Sequence, residues 1–178
     1  RDEVRPEAAD VIRRLKAQGI SVSLISGDTA RKSREVAQAL DIETVEAEKL
    51  PEQKLAIARE LQQKSPLAYV GDGINDAPTL AEASVGISLS SASDVAMHSA
   101  QVLLTDNSLN HLPAAIALAR LTVRTIKQNL FWAFFYNIIT IPMAACGEIA
   151  PLAGALLMTG SDVMIVGNSL RIKFKRIS

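Results

Sequence analysis

The sequence predicts an α/β fold, a doubly wound and mainly parallel sheet, followed by a two-helix transmembrane hairpin. Three observations carry this expectation. Short β-rich runs alternate with helix-period segments through the first two thirds of the chain, the pattern of strands joined by right-handed crossovers. Two of those runs end in loops rich in Gly and Asp, Ser26-Gly27-Asp28 and Gly71-Asp72-Gly73-Ile74-Asn75-Asp76-Ala77-Pro78. Charge then vanishes: both signs are frequent up to residue 128, whereas only Glu148 and Asp162 are charged between 129 and 170.

The elements follow in order. Residues 6–18 read as a helix, with Val11, Ile12 and Leu15 on one face, a proline near the start and Gly19 as the stop. Residues 21–25 form a short strand, and 29–40 a helix that Thr29 can cap. A short strand at 42–45 precedes a helix over 51–63. The apolar run 67–70 is a buried strand, and the glycines after it let the backbone turn sharply. A helical turn at 76–83, a strand at 85–89, a short helix at 94–98 and a strand at 101–104 complete the pattern. A long helix over 109–128 then runs on toward the apolar segment.

That segment predicts two membrane helices, 129–146 and 151–170, each about the length that crosses a hydrocarbon core. Residues 147–150 make the tight link. Arg120, Arg124 and Lys127 precede the first helix, and Arg171, Lys173, Lys175 and Arg176 follow the second. The positive-inside rule then puts 1–128 and 171–178 in the cytosol and the Glu148 turn outside. Trp132 lies near the cytosolic interface. A buried hairpin in a soluble protein is the competing reading. The expected domains are 1–108 (a partial α/β domain), 109–128 (a connecting cytosolic helix), 129–170 (the hairpin) and 171–178 (a basic tail).

The chain of 178 residues has zero net charge, which argues against a nucleic-acid partner. Its one cysteine, Cys146, has no partner for an internal disulfide and reads as a small packing residue. The start of the sequence, Arg1-Asp2-Glu3-Val4, has no apolar run of a cleavable signal.

Parallel strands aim their carboxyl ends at one edge, where ligands of open α/β sheets sit. That edge gathers Ser26, Gly27 and Asp28, Lys54, and the Asp72 loop. The functional reading is a phosphoryl-transfer site. Ser26 and the Gly27 amide donate to a phosphate oxygen, Lys54 adds positive charge, and Asn75 bonds the phosphate. Asp72 holds Mg2+ through oxygen, and Asp76 supports the cation. Each piece has a bland reading: Lys54 as a solvated helix lysine, and the two loops as ordinary Asx-rich turns. Their coincidence at consecutive strand ends favours the site.

Ser26-Gly27-Asp28, Pro51-Glu52-Gln53-Lys54 and the eight residues from Gly71 to Pro78 resemble the later phosphorylation-domain motifs of the P-type ATPases. The resemblance implies a haloacid-dehalogenase-like sheet, ATP and Mg2+ as cofactors, and an aspartyl-phosphate cycle. Two helices after that domain resemble the heavy-metal-transporting branch. No Asp-Lys-Thr-Gly-Thr nucleophile motif occurs in this sequence. The nucleotide-binding and actuator domains and the earlier membrane segments are likewise missing. The resemblance therefore implies the carboxyl-terminal part of a multi-pass pump, inactive alone, whose partners are the rest of that pump and the bilayer. A metallochaperone is a further partner of this kind, and a bacterial plasma membrane the default location.

The transported metal turns on the hairpin. The stretch from Asn129 to Asn137, with its Tyr136-Asn137 pair, and Met158 resemble the copper(I) branch. A thioether suits soft Cu(I) without adding charge to the membrane. Ser161 matches the Met-x-x-Ser pattern, but Asp162 stands where a second Ser is expected. An acid within a membrane helix has a cost and usually a role. The candidate ligands are thus Tyr136, Asn137, Met158, Ser161 and Asp162. The leading expectation is Cu(I) export. Alternatives are a divalent-metal pump (Zn, Cd, Co or Cu2+), a membrane-tethered phosphatase of the same superfamily, and a non-catalytic fragment that regulates a complete pump. His98 and His111 have no ligand partners in the sequence pattern, and no metal is expected there.

Overall fold

The computed structural model describes residues 4–106, 108–147 and 150–174, and the chain divides into two units, Arg1–Pro113 and Ala114–Ser178. In the first unit the elements run α1 (Ala8–Ala17), β1 (Ser23–Ile25), α2 (Ala30–Ala39), β2 (Thr44–Glu46), α3 (Pro51–Lys64) and β3 (Ala68–Val70). A 3-10 turn at Ile74–Asp76 leads into α4 (Ala77–Glu82), then β4 (Val85–Leu89), α5 (Asp94–Ser99) and β5 (Val102–Leu104).

Local chemistry explains the boundaries. Gly19, at φ +73°, ends α1 in the left-handed region that favours glycine. The Thr29 hydroxyl accepts from the Lys32 amide at the start of α2. Pro51 opens α3, where the Gln53 side chain accepts from the Leu50 amide at 2.9 Å. The Ser93 hydroxyl caps α5 by accepting from Ala96.

All strand pairing is parallel, as the alternating pattern predicts. The sheet, however, comes in two pieces. β1 pairs with β2, while β3, β4 and β5 form a three-stranded sheet in that order. Among the described residues no strand hydrogen-bonds the two pieces. The packing still joins them: Ile25 of β1 lies against the cluster of Tyr69, Leu80, Ala83 and Ala96. A second cluster, Ile12, Ala37 and Ile42, sits under Val22, Leu24 and Val45.

Gly86 on β4 lets α4 lie close. A Cβ there would come within 2.2 Å of the Leu80 carbonyl oxygen and 2.9 Å of the Gln101 amide oxygen. Leu80 itself is fully buried. Since α4 begins directly after Asp76, this contact also fixes where the acidic loop ends.

The second unit is helical. A 3-10 turn at Leu109–His111 precedes α6 (Leu112–Ala145), one continuous helix of 34 residues, and α7 (Pro151–Phe174) follows. α6 and α7 are joined by hydrogen bonds from Asn129 Nδ2 to Ser169 Oγ and from Asn168 Nδ2 to Asn129 Oδ1, both 2.8 Å. Among the described residues no helix is long and apolar enough to cross a membrane. The two spans expected over 129–146 and 151–170 are therefore helical but not established as membrane spans. The physical reason is polarity: Asn129, Asn137 and Thr140 in α6, and Ser161, Asp162 and Asn168 in α7, interrupt the apolar stretch. The Glu148 turn and residues 175–178 of the basic tail lie outside the described residues.

Candidate functional site

Asp76 is the best-anchored residue at the edge of the three-stranded sheet. Its amide donates to the Gly73 carbonyl at 3.0 Å, closing the 3-10 turn after β3. Its Oδ1 accepts from Lys54 Nζ at 2.8 Å and from the Tyr69 hydroxyl at 3.0 Å. The Lys54 and Asp76 side chains are each only 14% exposed. A charge held so far from water keeps its partner by necessity, because removing either leaves an uncompensated ion in a poorly solvated site. Burial first, and then the Asp76 charge and its hydrogen bond, push the Tyr69 hydroxyl above the usual tyrosine range. Tyr69 therefore stays a neutral donor.

Sequence places Lys54 on the first turn of α3, where its amide bonds the Leu50 carbonyl at 2.9 Å. The positive end of that helix dipole and the ammonium lie together, a setting that favours an anion. Gly71 allows the loop to fold back on itself, since a Cβ there would sit 2.9 Å from the Asp76 Cβ. Its amide extends the β3–β4 ladder by donating to Ile87.

Asp72 is exposed, and its carboxylate has no partner among the described residues. Its carbonyl accepts from the Ser93 amide at 3.1 Å, which ties the loop to the start of α5. Asn75 is also exposed. At the other strand end, Ser26 extends the β1–β2 ladder by donating its amide to Glu46 at 2.8 Å. Its Oγ accepts from the Asp28 amide at 3.0 Å, so that loop is stabilised by its own serine. The Asp28 carboxylate pairs with Lys32 at 3.1 Å, one turn into α2. Gly27 is open, with the Lys49 carbonyl 3.4 Å from where a Cβ would lie.

Of the expected set, Lys54 and Asp76 are in direct contact; Ser26, Gly27, Asp28, Asp72 and Asn75 make no described contact with them or with residues of the other loop. Among the described residues no group of three His, Cys, Asp or Glu side chains could hold a metal ion. The donors that remain suit Mg2+ nonetheless, because that ion commonly takes one or two carboxylates and completes its shell with water and phosphate. The unpartnered Asp72 carboxylate and the second oxygen of Asp76 are of that type.

In the helical unit the expected ligands are dispersed. The Tyr136 hydroxyl donates to the Gly154 carbonyl at 3.4 Å. The Ser161 hydroxyl donates to the Met158 carbonyl, one turn back on its own helix. Met158 is 61% exposed, and Asn137 and Asp162 are exposed as well. No described contact gathers the five into one ligand set.

Comparison with known proteins shows what the chain is similar to. Residues 1–84 match the model described as a haloacid dehalogenase-like hydrolase. The chain is 45% identical over 173 residues to a probable copper-exporting P-type ATPase V of Mycobacterium tuberculosis, and 42% identical over 177 residues to a copper-exporting P-type ATPase of Staphylococcus aureus. These alignments cover 97% and 99% of this chain and 22% of each relative. A solved zinc-transporting PIB-type ATPase in its E2.Pi state superposes with a TM-score of 0.91 at 37% identity, covering 97% of this chain and 28% of the other. Over nearly its whole length the chain is similar to one segment of the P-type ATPases. It spans about a fifth of the length of the curated P-type ATPases it matches.

Two features of this chain were not legible in its sequence. Tyr69 reads as one more apolar strand residue, and only the alternation along β3, with Tyr69 buried between exposed neighbours, separates it. The Asn129–Asn168–Ser169 network reads as scattered polarity, although polar side chains in apolar helices commonly bond across them.

Proposed function

We propose that this chain is part of an ATP-driven transition-metal pump that exports Cu(I), and that the edge formed by Lys54, Asp72 and Asp76 handles its Mg2+ and phosphate. The carrying observation is the buried contact of Lys54 and Tyr69 with one oxygen of Asp76, beside the unpartnered Asp72. Lys54 offsets phosphate charge, and Ser26 retains a hydroxyl proton to donate. Asp72 and Asp76 would hold Mg2+, which neutralises charge on a phosphoryl group. The nucleophile comes from outside these residues.

The exposed apolar side chains of α6, among them Leu130, Phe131, Phe134 and Ile138, support a place for α6 and α7 in a bilayer. Exposed Asn137 and Asp162 would then be satisfied by the pump's other helices, as polar groups within a membrane require. The bacterial relatives make the plasma membrane the natural location. A divalent-metal pump is the second reading, favoured by Asp162 and by the likeness to a zinc-transporting ATPase. The test of the catalytic edge is Asp72→Asn in the complete pump. Phosphoenzyme formed from ATP should fall by at least about tenfold, as for loss of a positioned charge, with metal binding intact. A normal phosphoenzyme level would overturn the assignment.

A further inference from the structure

Two adjoining hollows lie between α6 and α7. The first, about 550 Å3, is lined by Arg124, Arg171, Gln128, Asn168 and Thr125. The second, about 340 Å3, shares Gln128, Asn168 and Arg171, adds Asn129, and runs on to Trp132, Met164 and Ile165. Both basic side chains lie in the first hollow, beside Leu121 and Ile172, and the larger apolar side chains lie in the second. Neither Arg124 nor Arg171 has a carboxylate partner among the described residues. α6 contains no acid at all, and in α7 the only one is Asp162, roughly 13 Å along the helix from Arg171. The Gln128 amide nitrogen also has no described partner, since only its oxygen is used, by Asn168. Thr125 is committed to its own helix through the Leu121 carbonyl.

We propose that this groove binds an anionic phospholipid, with the headgroup phosphate between Arg124 and Arg171 and an acyl chain along Trp132, Met164 and Ile165. Two guanidinium groups and an amide donor match a phosphate diester, which accepts several hydrogen bonds at once. A free phosphate fits the first hollow but leaves the second unused. An amphiphile fills both. Basic pockets between helices at a membrane surface take lipid headgroups on the same physical grounds. The proposal rests on the bilayer reading of α6 and α7.

The test uses the complete pump, delipidated in detergent and titrated with dioleoyl phosphatidylglycerol, dioleoyl phosphatidylcholine or inorganic phosphate. Bound lipid is counted by native mass spectrometry. The wild type should retain one phosphatidylglycerol in preference to phosphatidylcholine, undisturbed by millimolar inorganic phosphate. R124Q/R171Q should weaken that site by roughly 30-fold, the effect of losing two basic side chains near an anionic group, and R124K/R171K should restore most of it. M164W, which fills the apolar arm and leaves both charges, should also lower lipid affinity. It keeps the proposal testable should R124Q/R171Q not fold. Displacement by inorganic phosphate would overturn the proposal in favour of a soluble anion. An unchanged lipid count in R124Q/R171Q, or unchanged affinity in M164W, would overturn it as well; lower thermal stability alongside an unchanged count would point to an acidic protein segment. Labelling of Ile138→Cys in vesicles by a water-soluble maleimide separates the two readings. Labelling there defeats the bilayer placement, whereas protection with an unchanged lipid count defeats the lipid site alone.

Discussion

At Asp76 two donors of different character meet on one oxygen. Lys54 supplies charge, and Tyr69 supplies a neutral hydroxyl whose proton is held more tightly than in a free tyrosine. A raised tyrosine pKa favours the folded state while the hydroxyl is protonated. That contribution is complete below about pH 10, the unfolded value, and is lost as pH rises through the higher folded value. Tyr69→Phe should therefore flatten the alkaline fall in stability above about pH 10, measured by urea unfolding across that range. At neutral pH it should cost about 1 kcal/mol, the net worth of one hydrogen bond. An alkaline limb identical to wild type would show that Tyr69 is not the titrating group. Asp72 and Asp76 stand out in the sequence as charges after a strand and Lys54 as one at a helix start, and the contact of Lys54 with Asp76 is what the structure adds. Tyr69 does not stand out, because an aromatic in a β-rich run is ordinary core material until the strand's facing is known.

Among the elements, α4 and β4 meet at a glycine, Gly86, that leaves no room for a side chain. Gly86→Ala would push a methyl group into the Leu80 carbonyl, which is backbone and cannot swing aside. We expect a loss of about 3 kcal/mol, at the upper end for overpacking, read from the denaturation midpoint. Unchanged stability would mean that α4 shifts at little cost. Because α4 starts at Ala77, such a shift would also disturb the Lys54–Asp76 contact. The helices and strands themselves were readable from period and caps: Thr29, Pro51 and Gly19 sit where their chemistry ends or starts a helix. The division of the sheet was not readable. Strand order is set by non-local pairing, and nothing in residues 21–25 or 67–70 says which neighbour either strand will take.

For the whole molecule, the chain's apolar third holds the open question of cargo. The copper-exporting relatives and the zinc-transporting structure carry different metals, and Asp162 is the residue that departs from the copper pattern read in the sequence. ATP hydrolysis by the complete pump, measured against Cu(I), Cu(II), Zn2+ and Co2+, should be stimulated most by Cu(I); the chain alone should hydrolyse none. A preference for Zn2+ without a Cu(I) response would reject the copper reading. Asp162→Ser should then shift selectivity toward Cu(I), as expected when a hard carboxylate is removed beside a soft thioether. The helical character of residues 129–146 and 151–170 followed from their hydropathy. The cross-helix bonds of Asn129 and Asn168 did not, since they depend on which faces meet.

The convergence of Lys54 and Tyr69 on a single Asp76 oxygen has a consequence for the proposed Mg2+ and phosphate role. The two anchors come from α3 and β3, so the carboxylate's direction is held from outside its own loop. Its other oxygen, with no described partner, can then release one ligand and accept another while the group stays aimed. In the proposed phosphoryl-transfer role this would help the site to empty and refill, because it would begin each round already set.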